Sequence, residues 1–367
     1  MKMTILAASI AVLTLGGDAR GQARAPTDPC SALKPSLPNL ACRATSGGVV
    51  LAPDAAEAQR IAPLLEAGEA RFREHFGRSP PRYAIHYAGL SKAQSEVLAA
   101  QGFTARTPWI TQAQFSAARE QSVLRVAEAT AKARGLPTEQ IGAELDRRLA
   151  EERAKAAEGA FDRESGVLPH EAGHGWFIQT YWPGDKSDGR DHYGGPGPDW
   201  LDETAAILME DERLTRERRK QFRELYAGNL QGPVSGSLEP LAKFLTRDHP
   251  GKGLNERFRA LSQEAGGGVR VGVLTREEAA RQTGFDPGAA GRFYVQARAF
   301  ADFLVDRTGD PAIFAEFAQA AARGQGYEQW LAQNGARRGL ASDMAGLQTL
   351  WARWLEARFG PPGVPIS

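Results

Sequence analysis

His170-Glu171-Ala172-Gly173-His174, with Leu168-Pro169 before it and Gly175-Trp176-Phe177-Ile178 after it, is the stretch from which the rest of the chain is read. Two histidines four residues apart lie about 40° apart around an α-helix and one turn along it. Both imidazoles then share a face and can meet a single Zn²⁺ at roughly 2.0–2.1 Å. Glu171 is rotated about 100° from His170, so its carboxylate reaches water beside the metal rather than the metal itself. Zinc lowers the pKa of such a water towards about 7, and a nearby carboxylate can take its proton. The flanks fit a helix: Pro169 suits a first turn, where its missing N–H matters least. Trp176-Phe177-Ile178 continues the helix as an apolar run, and Pro183-Gly184 ends it. Two core histidines held only by hydrogen bonds would share the spacing, but they give no reason for Glu171 between them.

A catalytic zinc needs a third protein ligand and an open fourth position. Trp200-Leu201-Asp202-Glu203-Thr204-Ala205-Ala206-Ile207 is the best source. Glu203 is the candidate ligand, with Leu201, Ala205, Ile207 and Leu208 to anchor its helix against the zinc helix, and Asp202 is the nearest rival. The other histidines compete poorly, since His75 and His86 lie far upstream and His249 sits in a Pro/Gly loop.

Upstream, Val49-Val50-Leu51-Ala52-Pro53 reads as a short strand and Tyr83-Ala84-Ile85-His86-Tyr87 as a second. Between them Asp54 is a suitable N-cap for a helix that runs to Phe76 and stops at Gly77. Residues 112–134 and 138–160 are rich in Ala, Glu, Gln and Arg, with Gly135-Leu136-Pro137 between them. They read as a helical hairpin with strong propensity and few large apolar residues, a solvated pair beside the core. Downstream, Ser237 caps an expected helix over 238–247, Gly266-Gly267-Gly268 is a break, and helices follow near 275–283, 290–308, 310–323, 325–333 and 342–359. The expected fold class is α+β and predominantly helical, with a small N-terminal sheet and a helical C-terminal part at 237–360.

The 367 residues, 42% hydrophobic and 24% charged, suffice for one large domain, placed at 47–360. The net charge of +1 is spread by interleaving both signs. That leaves no electrostatic footprint for nucleic acid and no basic stripe for an anionic membrane. Lys2, the apolar run Ile5 to Leu15 and the small residues Gly16 to Gly21 read as a signal peptide over 1–21, cleaved after Gly21. The apolar run is short for a bilayer span, so no lasting membrane anchor is expected. The reading places the protein in the periplasm or outside the cell. Residues 22–46 read as an extended lead-in, where Cys30 and Cys42 could close a small disulfide loop in an oxidising compartment.

Three segments give the chain a resemblance to the gluzincin, or peptidase MA-like, zinc metallopeptidases, including the aminopeptidase N branch. Leu168 to Phe177 resembles that family's zinc helix, and Trp200-Leu201-Asp202-Glu203 resembles its tryptophan–leucine–asparagine–glutamate ligand helix. Tyr294-Val295-Gln296-Ala297-Arg298-Ala299-Phe300 is similar to the helix that carries that branch's catalytic tyrosine. The resemblance implies a thermolysin-like catalytic fold, Zn²⁺ held by His170, His174 and Glu203, and Glu171 as general base. Tyr294 would then donate to the oxyanion, although by itself it reads as an aromatic at a helix start.

The match departs in three places. The 28 residues between His174 and Glu203 exceed the branch's usual spacing, and Thr204 stands where a glycine usually follows the ligand glutamate. No glycine–alanine–methionine–glutamate–asparagine motif lies upstream to hold a substrate's free amine, which points away from a true aminopeptidase. The extra length falls in Gly184 to Asp199, a loop with Asp185, Asp188, Asp191 and His192 whose acidic spacing is not that of an EF-hand. Such a loop is expected to border the cleft. The expected partner is a peptide or protein substrate. The alternatives are a catalytically silent zinc-binding scaffold and a zinc hydrolase of a non-peptide acyl substrate, since specificity lies in pocket walls that spacing does not place.

Overall fold

The computed structural model describes residues 28–87, 90–157, 164–185, 195–228, 237–252 and 286–361. In chain order they form α1 (Pro29–Leu33), β1 (Ala41–Ala44), β2 (Gly48–Ala52), α2 (Ala55–Phe76), β3 (Tyr83–Tyr87), α3 (Lys92–Ala100), β4 (Ala105–Trp109), α4 (Gln112–Ala133), α5 (Thr138–Ala157), α6 (Glu164–Tyr181), α7 (Asp199–Leu208), α8 (Glu212–Tyr226), α9 (Leu241–Phe244), α10 (Pro287–Thr308), α11 (Ile313–Ala322), α12 (Tyr327–Asn334) and α13 (Met344–Phe359). The expected class, mostly helical with a small N-terminal sheet, is the one observed. The signal-peptide residues 1–21, Asp188, Asp191, His192, the glycines at 266–268 and the helix expected near 275–283 lie outside the described residues. No described helix is long and apolar enough to cross a membrane.

The sheet has the order β1-β2-β3-β4, antiparallel between the first two strands and parallel thereafter. Helices α2 and α3 make the two parallel crossovers. Alternation along β2 and β3 divides the apolar side chains between two faces, as a period of two requires. Val50, Ala52, Tyr83 and Ile85 face the main core with α2 and α6. Val49, Leu51 and Ala84 face a smaller cluster with Leu33, Leu37, Leu98 and Phe103.

That second face corrects the reading of 22–46 as an extended lead-in, because the segment is folded from Pro29 onwards. The Asp28 carboxylate accepts from the backbone N–H groups of Cys30 and Ser31, each at 3.2 Å, and starts α1. The Cys30–Cys42 disulfide ties α1 to β1, and Leu33 covers the sheet. Three further elements went unread. The strand β4 contains Pro108, which argues against a central strand but is tolerated at an edge, and among the described residues β4 pairs only with β3. The helix α3 has a single fully buried residue, Leu98. The helix α8, Glu-Arg-Leu-Thr-Arg-Glu-Arg-Arg-Lys-Gln-Phe-Arg-Glu-Leu-Tyr, buries only Thr215, Phe222 and Leu225, so its apolar stripe is thin.

Expected boundaries hold where caps set them. Asp54 caps α2 by accepting from the Glu57 N–H at 2.8 Å, and Gly77 closes it at φ 64°, a left-handed conformation suited to glycine. The hairpin of α4 and α5 lies where the sequence places it. Two boundaries move. The helix expected over 238–247 from a Ser237 cap shrinks to α9, because Pro240 disfavours helical geometry in the residue before it. The helix expected to carry the two histidine ligands starts at Glu164, so Pro169 lies inside α6 rather than in its first turn. Glu164 is buried and fixed by Trp109 Nε1 at 3.1 Å and by Arg60, which anchors the helix early. The Pro169 ring then packs on Gly68 of α2, where a Cβ would stand 3.2 Å from the Pro169 Cβ.

Candidate metal centre

The site lies where α6 crosses α7, and a glycine lets the two helices meet. A Cβ on Gly173 would stand 2.8 Å from Met209 Cγ and 3.0 Å from Ala206 Cα, so any side chain there would push α7 away. The third residue of the x-x-Gly-His run is therefore a packing requirement of the site. Thr204, where the resemblance leads one to expect glycine, is buried and donates its hydroxyl to the Trp200 carbonyl at 2.6 Å, as helix threonines do.

Across this contact His170 and His174 turn their rings to one place, with centroids 5.1 Å apart and planes at 84°. Their Nδ1 atoms are committed elsewhere. His170 Nδ1 lies 2.9 Å from Glu210 Oε1, and His174 Nδ1 lies 3.0 Å from Asp202 Oδ1. A carboxylate accepts, so each Nδ1 donates a proton and Nε2 is the atom left to meet a metal, the arrangement that fixes metal-binding histidines. Both Nε2 atoms face Glu203, at 3.4 Å from Oε1 for His170 and 3.8 Å from Oε2 for His174. One ligand atom from each of His170, His174 and Glu203 lies within 4.8 Å of the others, and all three residues are buried. The sequence named this trio, and the structure brings it together. Asp202, the rival ligand, instead supports His174.

Charge explains what this cluster is built to hold. Glu203 is 1% exposed, yet neither of its carboxylate oxygens has a hydrogen-bond partner. An isolated buried carboxylate is among the least favourable groups in a protein interior. Burial raises the pKa of Glu203 against the pull of His170 and His174. Burial opposes a charge on His174 as well, but Asp202, Glu203 and Glu171 outweigh it and lift its pKa to about 10. A pocket that pulls a proton onto a histidine while leaving a carboxylate bare is short of positive charge, and its two nitrogens and one carboxylate can hold a metal ion.

Behind His170 stands a pair that the sequence reading missed. Burial works against ionisation of Glu210, but Arg218 and His170 overturn it and hold its pKa down at about 2. The Arg218 guanidinium pairs with both Glu210 oxygens and also lies 5.1 Å from the centre of the Tyr294 ring. Tyr294 itself, on α10, stands edge-on to His170 with ring centroids 6.3 Å apart. Glu171 is half-buried on the neighbouring face of α6, near enough for its charge to act on His174. All five residues named from sequence therefore gather at one place.

His249, set aside as a loop residue, belongs there too. It is 2% exposed, its ring lies 5.4 Å from that of Tyr294, and its Nε2 is 3.7 Å from Glu203 Oε2. Gly251 N–H donates to its Nδ1 at 2.9 Å, so the ring proton sits on Nε2, facing the site. Burial, with His174 and Arg247 adding to it, lowers its pKa to about 3, so the ring is neutral at ordinary pH. The Asp199 carboxylate at the start of α7 accepts from the His249 backbone N–H at 2.6 Å and pins the loop. Neither His249 nor Arg218 has a short-range motif; only the shared burial of distant segments reveals them. Of the loop from Gly184 to Asp199, the described ends show the Asp185 carbonyl accepting from Gln179 Nε2 at 3.1 Å.

No protein-family model matches the chain, and neither do any curated protein or solved structure.

Proposed function

We propose that this protein is a zinc-dependent metallopeptidase that hydrolyses peptide bonds by general-base catalysis, exported to an oxidising compartment. The observation that carries the proposal is the bare, buried Glu203 carboxylate facing two histidine Nε2 atoms whose Nδ1 protons are already committed. A closed structural site would have four protein ligands, whereas three with a half-buried carboxylate beside them is the catalytic pattern. The resemblance of the three motif segments to gluzincins agrees, and the thermolysin-like catalytic fold is part of the same proposal. The Cys30–Cys42 disulfide supports export.

A zinc ion at this site would supply Lewis acidity, polarising the scissile carbonyl and making water acidic. The chain's own residues do the rest. Asp202 and Glu210 hold the two imidazoles in one tautomer and orientation. Glu171 accepts the proton of the attacking water and delivers it to the leaving nitrogen. The Tyr294 and His249 rings lie 5.4 Å apart, and the tyrosine hydroxyl and the His249 Nε2–H would be the two donors to the oxyanion of the tetrahedral intermediate. Arg218 behind the Tyr294 ring holds that ring by cation–π contact.

Digestion of a diverse peptide library by the zinc-loaded protein, beside Glu171→Gln, tests the reading. Cleavage by the wild type that the variant loses is the expected result. If both proteins hold one zinc and neither cuts, the peptidase proposal fails and a silent binding module or a hydrolase of another acyl substrate takes its place.

A further inference from the structure

The helix α8 is polar along nearly its whole length, and only Thr215, Phe222 and Leu225 are buried. Their spacing, seven residues and then three, marks the inward stripe of the helix. Arg218 lies on the same stripe, three residues after Thr215 and four before Phe222, and is the one charged side chain on it. That side chain is 16% exposed. A guanidinium so deep is held by what it touches, because a buried charge without partners is costly.

It touches groups from two other parts of the fold. Its N–H donors meet both oxygens of Glu210, just beyond the end of α7. Its flat face lies over the Tyr294 ring of α10, 5.1 Å from the ring centre. Glu210 in turn lies 2.9 Å from His170 Nδ1, and the Tyr294 ring stands edge-on to the same His170. Both neighbours of Arg218 therefore converge on one metal ligand. The packing of α8 on α10 has a tie of its own. Arg219, on the outward side, gives two hydrogen bonds of 2.8 and 2.9 Å to Asp302, about two turns beyond Tyr294.

We propose that Arg218 is a positioning residue: one guanidinium keeps the Tyr294 ring and the Glu210–His170 pair in register, so that the oxyanion donor is aligned with the metal ligand. The inference rests on the peptidase reading for its reaction, whereas the alignment itself is a property of the folded chain. Lysine could balance the charge of Glu210. Its ammonium is a point charge, however, without the planar fork and flat face that serve both neighbours at once. A lysine here keeps the metal ligand supported and lets the tyrosine go.

Arg218→Lys separates the two duties, with Arg219→Gln as the control for a loosened α8. In the full-length protein labelled with meta-fluorotyrosine, the fluorine NMR resonance of Tyr294 is assigned by its loss in Tyr294→Phe. It should move in Arg218→Lys and stay in place in Arg219→Gln. Zinc affinity should fall less than about threefold in Arg218→Lys, against about 10–100-fold where the support of a ligand is lost outright. On a cleaved peptide, Tyr294→Phe should lower kcat by about 10²–10³, the effect of losing one oxyanion donor. Arg218→Lys should lower kcat about tenfold with KM unchanged, and no further once Tyr294 is already Phe. The proposal is overturned by an unmoved Tyr294 resonance, by one that Arg219→Gln moves as far, or by kcat effects of Arg218→Lys and Tyr294→Phe that multiply. The spectrum needs no substrate. A zinc-loaded wild type that cuts no peptide, with the resonance moving as expected, removes the peptidase reading and leaves the alignment standing.

Discussion

Two pairs of neighbouring helices in this chain are held together by opposite means. Along α7 every residue from Trp200 to Leu208 is buried, including Asp202, Glu203 and Thr204. Along α4, more than twice as long, only Ser122, Ala127 and Ala131 are, and α5 adds only Glu152. The hairpin lives on propensity, on the Thr111–Gln114 capping box and on ion pairs such as Arg153 with Glu120. The α6–α7 pair lives on tertiary burial, and it carries polar and charged groups that no isolated helix would keep out of water. A site able to hold a metal ion is placed where the surroundings, rather than the local sequence, decide the structure. Stability and function therefore pull against each other at α7 and not at the hairpin.

The sharpest way to break that contrast is Glu203→Gln. Metal affinity should fall by more than about a hundredfold, beyond the usual effect of losing an outer partner, as measured by competition with a chelating dye. The metal-free protein should gain stability, since the variant removes a buried carboxylate that has no hydrogen-bond partner. A melting temperature that falls in the metal-free variant would sink the account of Glu203 as a ligand held at the expense of stability. In the wild type, metal must displace a proton from His174, whose pKa is raised to about 10. Affinity is then expected to climb with pH until it levels off near 10. Without metal the sign is reversed. A raised folded pKa stabilises below the ordinary value of 6.5, and that stability is lost as pH rises through 10.

Next in size is Arg218→Met, which leaves Glu210 buried with His170 as its remaining partner. Breaking such a pair costs about 3–5 kcal/mol, and the loosened His170 should lose about 10–100-fold in metal affinity. Glu210 has a depressed pKa of about 2. Its contribution to stability is therefore complete above its ordinary value of 4.5 and lost as pH falls towards 2. Acid unfolding monitored by circular dichroism should show that loss in the wild type and much less of it in the variant. An unchanged acid profile would mean that Arg218 does not hold Glu210 ionised.

The same contrast decides what could be read from sequence. The strands Val49–Ala52 and Tyr83–Tyr87, the Asp54 and Gly77 caps and the hairpin are local patterns, and each appears where composition puts it. The trio His170, His174 and Glu203 was legible because helical spacing dictates its geometry. Asp202 reads from sequence only as the nearest rival to Glu203, since only the crossing of α6 and α7 shows that it meets Nδ1 of His174. Glu210, Arg218 and His249 come from the end of α7, from an almost wholly polar helix and from a loop. Glu210 lies 40 residues from the His170 it supports and His249 46 from the Glu203 it faces, and Arg218 matters only through Glu210, so no window along the chain shows their role. The fold of residues 29–44 was hidden for a related reason, because its cohesion comes from a disulfide and from the far face of the sheet.

Smaller effects should follow from one substitution made in both pairs. Gly173→Ala in α6 puts a methyl group 2.8 Å from Met209 Cγ and 3.0 Å from backbone at Ala206. Overpacking of this kind costs about 1–3 kcal/mol, and spreading the helices should weaken metal binding along with stability. Denaturant titration and the dye competition read the two separately.

Gly142→Ala in α5 should act in the other direction and least of all. Nothing lies within 4 Å of a Cβ built there, and the position is interior to the helix with no positive φ to preserve. Alanine then removes backbone freedom from the unfolded chain and adds helix propensity, a gain of about 0.5–1 kcal/mol. Metal affinity and any peptidase activity should not move, because the hairpin supplies no residue to the cluster. The denaturation midpoint should rise for Gly142→Ala and fall for Gly173→Ala. If both fall, the hairpin is packed against something on its α5 face, and its independence from the rest of the molecule is lost.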